Sequence, residues 1–180
     1  MAEPRVHEPA FVITEHDHVQ GEAAAPVTLV EYGDFECPYS REAVKTVQSL
    51  QREFGQDLQF VFRHFPLTAK HPHALQAAEA TEAAAAQGKF WTMYAMLFAH
   101  QWELEYRDLM DYAGQLGLDK ARFGEALDKH RHLDRVRADV GTGRRHGVTG
   151  TPTYFVNGHR QGGADDMRAL AVAIRKVLSS

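Results

Sequence analysis

The sequence predicts an α/β fold in a single domain covering residues 1–180. A βαβ unit comes first, a ββα unit comes last, and a helical subdomain is inserted between them at about residues 66–146. Three observations predict this. Two short runs rich in β-branched and aromatic residues, 27–32 and 58–62, flank a stretch whose apolar residues recur at helical spacing. From Lys70 to His146 no strand pattern occurs, and the stretch from Ala74 to Gln87 is rich in the helix formers Ala and Glu. Asn157-Gly158 then marks a two-residue hairpin ahead of a last amphipathic helix.

In chain order, Phe11-Val12-Ile13 is the one apolar run in a polar leader and is expected to form a short strand. Val27 to Tyr32 reads as a buried strand and residues 33–36 as a loop. The helix that follows carries Ala43, Val44, Val47, Leu50 and Phe54 on one face. Pro38 suits its first turn because the missing N–H would have no partner there, and Gly55 ends it. Leu58 to Phe62 is the second strand, parallel to the first through a right-handed crossover. Helices are then expected near 74–87, 90–100, 105–116, 119–128 and 132–146, punctuated by Gly88, Gly117 and Gly147. Thr153 to Val156 and His159 to Gln161 form the hairpin. Gly162-Gly163 leads into a helix with Met167, Leu170, Ala171, Ile174, Val177 and Leu178 on one face.

Twenty Lys plus Arg against 24 Asp plus Glu leave a net charge of −4, which argues against a nucleic-acid partner. No run approaches the ~20 apolar residues of a membrane span. The first twenty residues lack the apolar core of a secretion signal, so the expected location is cytoplasmic, or periplasmic or exported if a leader has been removed. The chain is expected to be a monomer or a weak dimer. One cysteine, Cys37, excludes an intrachain disulfide and a CxxC-type zinc site.

Cys37 stands at the start of the first helix, where unpaired N–H groups and the helix dipole favour the thiolate, the reactive form. Ser40, three residues on, can aim its hydroxyl and its N–H at the sulfur. The competing reading, a buried inert cysteine, is opposed by the polar neighbours Glu36 and Ser40. Pro152 marks the entry of a strand, and in an ordinary turn its peptide bond would be trans. His64, His71 and His73 are grouped, but no Cys or close carboxylate completes a metal set. Their expected role is capping and packing, and no metal site is expected. Phe90, Trp91, Tyr94, Phe98 and Trp102 read as helical core, with part of the group free to line a groove beside Cys37. Arg131, Arg135, Arg137, Arg144 and Arg145 read as a solvated helix face.

The run Val27-Thr28-Leu29-Val30-Glu31-Tyr32-Gly33-Asp34-Phe35-Glu36-Cys37-Pro38-Tyr39 resembles the active-site region of the DsbA-like thioredoxin-fold family. Phe62-Arg63-His64-Phe65-Pro66-Leu67, His71-Pro72-His73-Ala74, Gly88-Lys89-Phe90-Trp91 and Gly147-Val148-Thr149-Gly150-Thr151-Pro152-Thr153 are similar to that family in the same order. The resemblance implies a thioredoxin fold with a helical insertion and a thiol–disulfide oxidoreductase. It makes Cys37 the nucleophile, with Pro38, Tyr39 and Ser40 completing the site, and Pro152 cis and facing Cys37. Gly150, Thr151 and Pro152 would bind substrate. Glu31 matches the family's buried acid near the cysteine, the alternative being a glutamate that ends a strand at the surface.

The departure is Cys37-Pro38-Tyr39-Ser40 in place of Cys-x-x-Cys. Without a second thiol the chain can form a mixed disulfide but needs an external thiol to resolve it. Ser40 is either native or an engineered Cys-to-Ser trapping change. The expected partners are protein or small-molecule disulfides and thiols, with glutathione as a candidate co-substrate and no other cofactor. Two further readings remain: a glutathione-binding transferase or isomerase that uses Ser40, and a non-catalytic peptide-binding module.

Overall fold

The computed structural model describes residues 11–162 and 167–180, and Gly163 therefore lies outside the described residues. Its centre is a five-stranded sheet of order β1-β3-β2-β4-β5. β2 (Val27–Gly33) and β3 (Leu58–His64) pair in parallel, Val27 opposite Leu58 and Gly33 opposite His64. Helix α1 (Pro38–Phe54) makes the crossover, followed by a 3-10 turn at Gly55–Asp57. β4 (Thr153–Val156) lies antiparallel on the other side of β2 and is followed by β5 (His159–Arg160). Five helices stand between β3 and β4: α2 (Ala74–Ala85), α3 (Phe90–Ala99), α4 (Tyr106–Gln115), α5 (Lys120–Asp128) and α6 (Leu133–Arg145). The chain closes with α7 (Met167–Leu178).

The side-chain alternation of β2 builds two cores. Val27 and Leu29 face α1 and the inserted helices, in a cluster with Phe35, Phe62, Tyr94, Phe98 and Tyr154. Val30 and Tyr32 face the other way, onto Val61, Phe65, Val148 and Phe155. Glu31 has the parity of Leu29, so its carboxyl points into the larger core. α1 buries Ala43, Val47 and Leu50 at helical spacing, in agreement with the face read from sequence.

The front of the chain differs from expectation. Residues 11–13 are not a strand; the short edge strand is β1, His18–Gln20, antiparallel to β3. The reason is visible in the bonding. Phe11 packs on Phe155, with ring centroids 4.7 Å apart, and the Val12 carbonyl accepts from Arg63 Nη2 at 2.8 Å rather than from a neighbouring strand. Arg63 also donates to both Asp17 oxygens, at 2.7 and 2.9 Å, which ties the leader to the sheet.

Gly21, at the turn from β1 towards β2, has φ +95°, and a Cβ there would lie 2.5 Å from the Leu58 carbonyl oxygen. Backbone cannot yield as a flexible side chain does. Gly21→Ala is expected to destabilise the domain by about 2–4 kcal/mol, read as a lowered urea midpoint with an unchanged slope.

Candidate active site

The site is built where the β2–α1 loop meets the turn before β4. Cys37 caps α1 with extended φ −79° and ψ 121°, and Pro38 fills the first turn. The Cys37 N–H donates to Asp34 O at 3.1 Å, and its carbonyl accepts the first helical bond, from Arg41 N at 3.2 Å. The thiol is 4 % exposed, and Sγ donates to the Thr151 carbonyl at 3.3 Å. The Thr151–Pro152 bond is cis, as the family resemblance implies. The Gly150 carbonyl accepts from Thr153 Oγ1 at 2.7 Å, which closes the turn that presents Thr151. Cys37, Gly150, Thr151 and Pro152 are thus brought together across 114 residues of chain. Tyr39 stands at the rim, 59 % exposed.

Ser40 is fully buried, and its hydroxyl accepts from the Asp34 N–H at 3.2 Å. The bond from Ser40 to sulfur expected from sequence is not among the bonds described; the hydroxyl braces the loop instead. Asp34 is the hub of that loop. Its oxygens accept from Glu36 N (2.8 Å) and Leu67 N (2.8 Å), and Oδ2 lies 2.7 Å from His71 Nδ1. Glu36 in turn accepts from His73 N at 2.7 Å and sits 3.0 Å from His73 Nδ1. His71 and His73 therefore clasp the two acids that flank the cysteine loop, whereas His64 belongs elsewhere.

Gln101, between α3 and α4, completes the mount. Its side-chain amide donates to Phe35 O at 2.9 Å and to Cys37 O at 2.8 Å. No local pattern marks Gln101, because its partners are 66 and 64 residues away. Beside it, Trp102 is 74 % exposed, which corrects its assignment to the helical core; Phe90, Tyr94 and Phe98 are buried as expected. Trp102, Gln101, Pro38, Arg41, Glu42 and Lys45 line a groove of about 660 Å³ that begins at the residue after Cys37.

Glu31 is fully buried, not at a strand end on the surface. Burial pushes its carboxyl up to about 8, opposed by the Tyr154 hydroxyl. Tyr154 is the residue opposite Glu31 in the β2–β4 pair. Among the described residues, no hydrogen bond of ordinary geometry reaches either Glu31 oxygen. The result is a carboxyl able to hold or release a proton near neutral pH, six residues before the cysteine in the same strand–loop unit.

His64 pairs with His18 around Glu82. Each Nε2 lies 2.7 Å from the same oxygen, Glu82 Oε1. Burial raises the Glu82 carboxyl, but the two imidazole contacts prevail and hold it well below the usual carboxylate range. These three are the one group of His, Cys and acidic residues among those described that offers three donor atoms within 4.8 Å of one another. The fit to a metal is poor. Both contacts are at hydrogen-bond length to one oxygen, and the buried His64 Nδ1 has no partner to accept the N–H that a metal-bound ring would carry there. The group instead staples β1 and β3 to α2, with His18 stacked 3.4 Å from Phe90.

A sheet of this order, a helical block between β3 and β4, and a helix-capping cysteine against a cis proline define a thioredoxin-fold protein of the DsbA type. The family model described as thioredoxin matches residues 13–176, and the chain belongs to that family. Among solved structures, oxidised BdbD from Bacillus subtilis is 24% identical with a TM-score of 0.80, covering 92% of this chain and 94% of that one. A thioredoxin-like oxidoreductase from Silicibacter pomeroyi DSS-3 is 23% identical with a TM-score of 0.82, over 93% and 95% of the two chains. Alpha-DsbA1 of Wolbachia pipientis is 19% identical with a TM-score of 0.77, over 94% of each chain. The likeness to these three is one of fold. Among curated relatives, the Na(+)/H(+) antiporter NhaA 1 of Salinispora arenicola is 49% identical over 160 residues, 89% of this chain and 24% of the relative. NhaA of Herminiimonas arsenicoxydans is 43% identical over 171 residues, 95% of this chain and 27% of the relative. The chain thus spans about a quarter of the length of these curated relatives.

Proposed function

We propose that the chain is a thiol–disulfide oxidoreductase that works through Cys37 alone. The observation that carries this reading is the Cys37 sulfur at the N-terminus of α1, hydrogen-bonded to the carbonyl of the residue before cis Pro152. The thiolate attacks one sulfur of a protein or small-molecule disulfide, and a mixed disulfide forms as the first thiol leaves. An external thiol, glutathione among the candidates, then attacks the mixed disulfide and frees Cys37. Gly150, Thr151 and Pro152 align the incoming chain beside the sulfur. Glu31 exchanges the thiol proton with solvent, a task its carboxyl near 8 suits.

The Ser40-based transferase reading loses ground because Ser40 is wholly buried and committed to the Asp34 N–H. The antiporter relatives hold this domain as about a quarter of a longer chain, and the proposal concerns that quarter's thiol chemistry. No helix among the described residues is long and apolar enough to cross a membrane.

Mass spectrometry of the reduced protein after incubation with glutathione disulfide tests the reading. A single adduct on Cys37, removed by a small thiol and absent from Cys37→Ala, is the expected result. An unreactive Cys37 in the folded protein would refute it.

A further inference from the structure

The groove beside Cys37 carries charges that have no partner among the described residues. Arg41 and Lys45 are one turn apart on the exposed face of α1, with Glu42 between them. Among the described residues, no salt bridge or side-chain hydrogen bond engages Arg41, Glu42 or Lys45, although ion pairs elsewhere on the surface are common, for example Lys129 and Arg131 with Glu125. Trp102 also lines the groove and, at 74 %, is the most exposed large hydrophobic residue among those described. The protein as a whole is acidic, at −4, so the two cations of this groove stand against the net charge of the molecule.

We propose that this groove selects a small, carboxylate-bearing disulfide of short-peptide size as the oxidised partner of Cys37. This rests on the thiol–disulfide reading above and names its substrate class. Arg41 and Lys45 receive the carboxylates, Glu42 receives a free ammonium group, and the Trp102 indole covers the apolar and peptide atoms between them. The volume, about 660 Å³, is that of an ordinary small-ligand site. In the reaction, a new bond forms between Cys37 Sγ and the nearer ligand sulfur while the ligand's own S–S bond breaks. The Cys37 sulfur is oxidised, the departing half is reduced and leaves as a thiolate, and the Cys37 proton passes to solvent. The thiol of a different partner then attacks the ligand sulfur of the mixed disulfide; its bond to that sulfur forms as the Cys37–ligand bond breaks, Cys37 leaves as the thiolate, and the partner departs disulfide-linked to the ligand half.

The test compares three probes of different charge: glutathione disulfide (anionic, and of short-peptide size), hydroxyethyl disulfide (neutral) and cystamine (cationic). Rates of Cys37 adduct formation are measured by stopped acid quench and mass spectrometry. Each is divided by the rate of the same probe with free 2-mercaptoethanol, which removes the intrinsic reactivity of the disulfide. The expected order is anionic above neutral above cationic, with about a tenfold spread or more that shrinks in 0.5 M salt. In Arg41→Gln/Lys45→Gln the anionic-to-cationic ratio is expected to fall at least fivefold. Equal normalised rates for all three probes, or a ratio untouched by the double substitution, overturn the substrate class while leaving the thiol reading intact. Preference shown only for a disulfide within a longer acidic peptide assigns the groove to a polypeptide and overturns the proposal. No adduct with any probe overturns the thiol reading and this proposal together.

Discussion

Ser40→Cys is expected to turn a sulfur that only captures disulfides into a site that turns over. Ser40 lies in the first turn of α1, three residues beyond Cys37, and is fully buried beside the same loop. A thiol placed there is held within one helical turn of the mixed disulfide, so its attack replaces an encounter with an external thiol. Intramolecular positioning of this kind is worth many powers of ten in effective concentration. Insulin reduction by dithiothreitol is expected to accelerate at least a hundredfold over the parent chain. After oxidation, free-thiol titration is expected to show no thiols where the reduced variant shows two. The larger sulfur must enter the space of a hydroxyl that accepts from Asp34 N–H, at a cost of about 1–2 kcal/mol. A variant that keeps the parent's turnover and both free thiols after oxidation would show that a thiol at position 40 does not reach the Cys37 sulfur.

Glu31→Gln is expected to remove much of the decline in stability between about pH 4.5 and pH 8. The Glu31 carboxyl titrates near 8 in the fold against an ordinary value of 4.5. The folded protein therefore binds a proton that the unfolded chain has lost anywhere between these values. Stability is full below about pH 4.5 with respect to this group, declines as pH rises, and levels off above about pH 8. A shift of this size corresponds to roughly 3–5 kcal/mol. Gln, which carries no charge, is expected to equal the parent near pH 5 and to exceed it by roughly that amount at pH 9, by urea unfolding. Glu82 and Asp17 act in the opposite sense. Both carboxyls are held below their ordinary values, Asp17 by Arg63 against the pull of burial, so their contribution is present above the unfolded value and lost as pH falls. A decline between about pH 4.5 and pH 8 that is identical in parent and Glu31→Gln would show that Glu31 is not the buried acid described.

The two framing units were legible because their signals are local. The helical spacing of Ala43, Val47 and Leu50, the Asn157-Gly158 turn and the Cys37-Pro38 step each lie within one element. The residues that escaped notice act through long contacts. β1 is three residues long and includes His18 and Gln20, so it has no apolar alternation to find, and its partner lies in β3. Gln101 has neither charge nor periodicity to distinguish it, and its meaning comes only from the two carbonyls it meets. The histidines illustrate the same limit. His71 and His73 fall beside the acids of the cysteine loop, while His64, at the end of β3, turns to Glu82 eighteen positions later and to His18. Neighbours in sequence were separated by the direction of the strand end, which sequence spacing alone does not report. Trp102 followed an aromatic series into the helical block by composition, yet it lies beyond the end of α3, outside the helix that buries the others.

Surface loops that carry reactive groups are commonly the first parts of a domain to open. The loop around Cys37 is held otherwise. The amides of Glu36, Leu67 and His73 all end on its two carboxylates, and the carbonyls of Phe35 and Cys37 end on Gln101. These amides should be among the slowest in the chain to exchange with deuterium, slower than those of the helix termini around them. A sulfur on so stiff a base does not reshape itself to its partners, and adjustment to fit falls to the molecule that arrives.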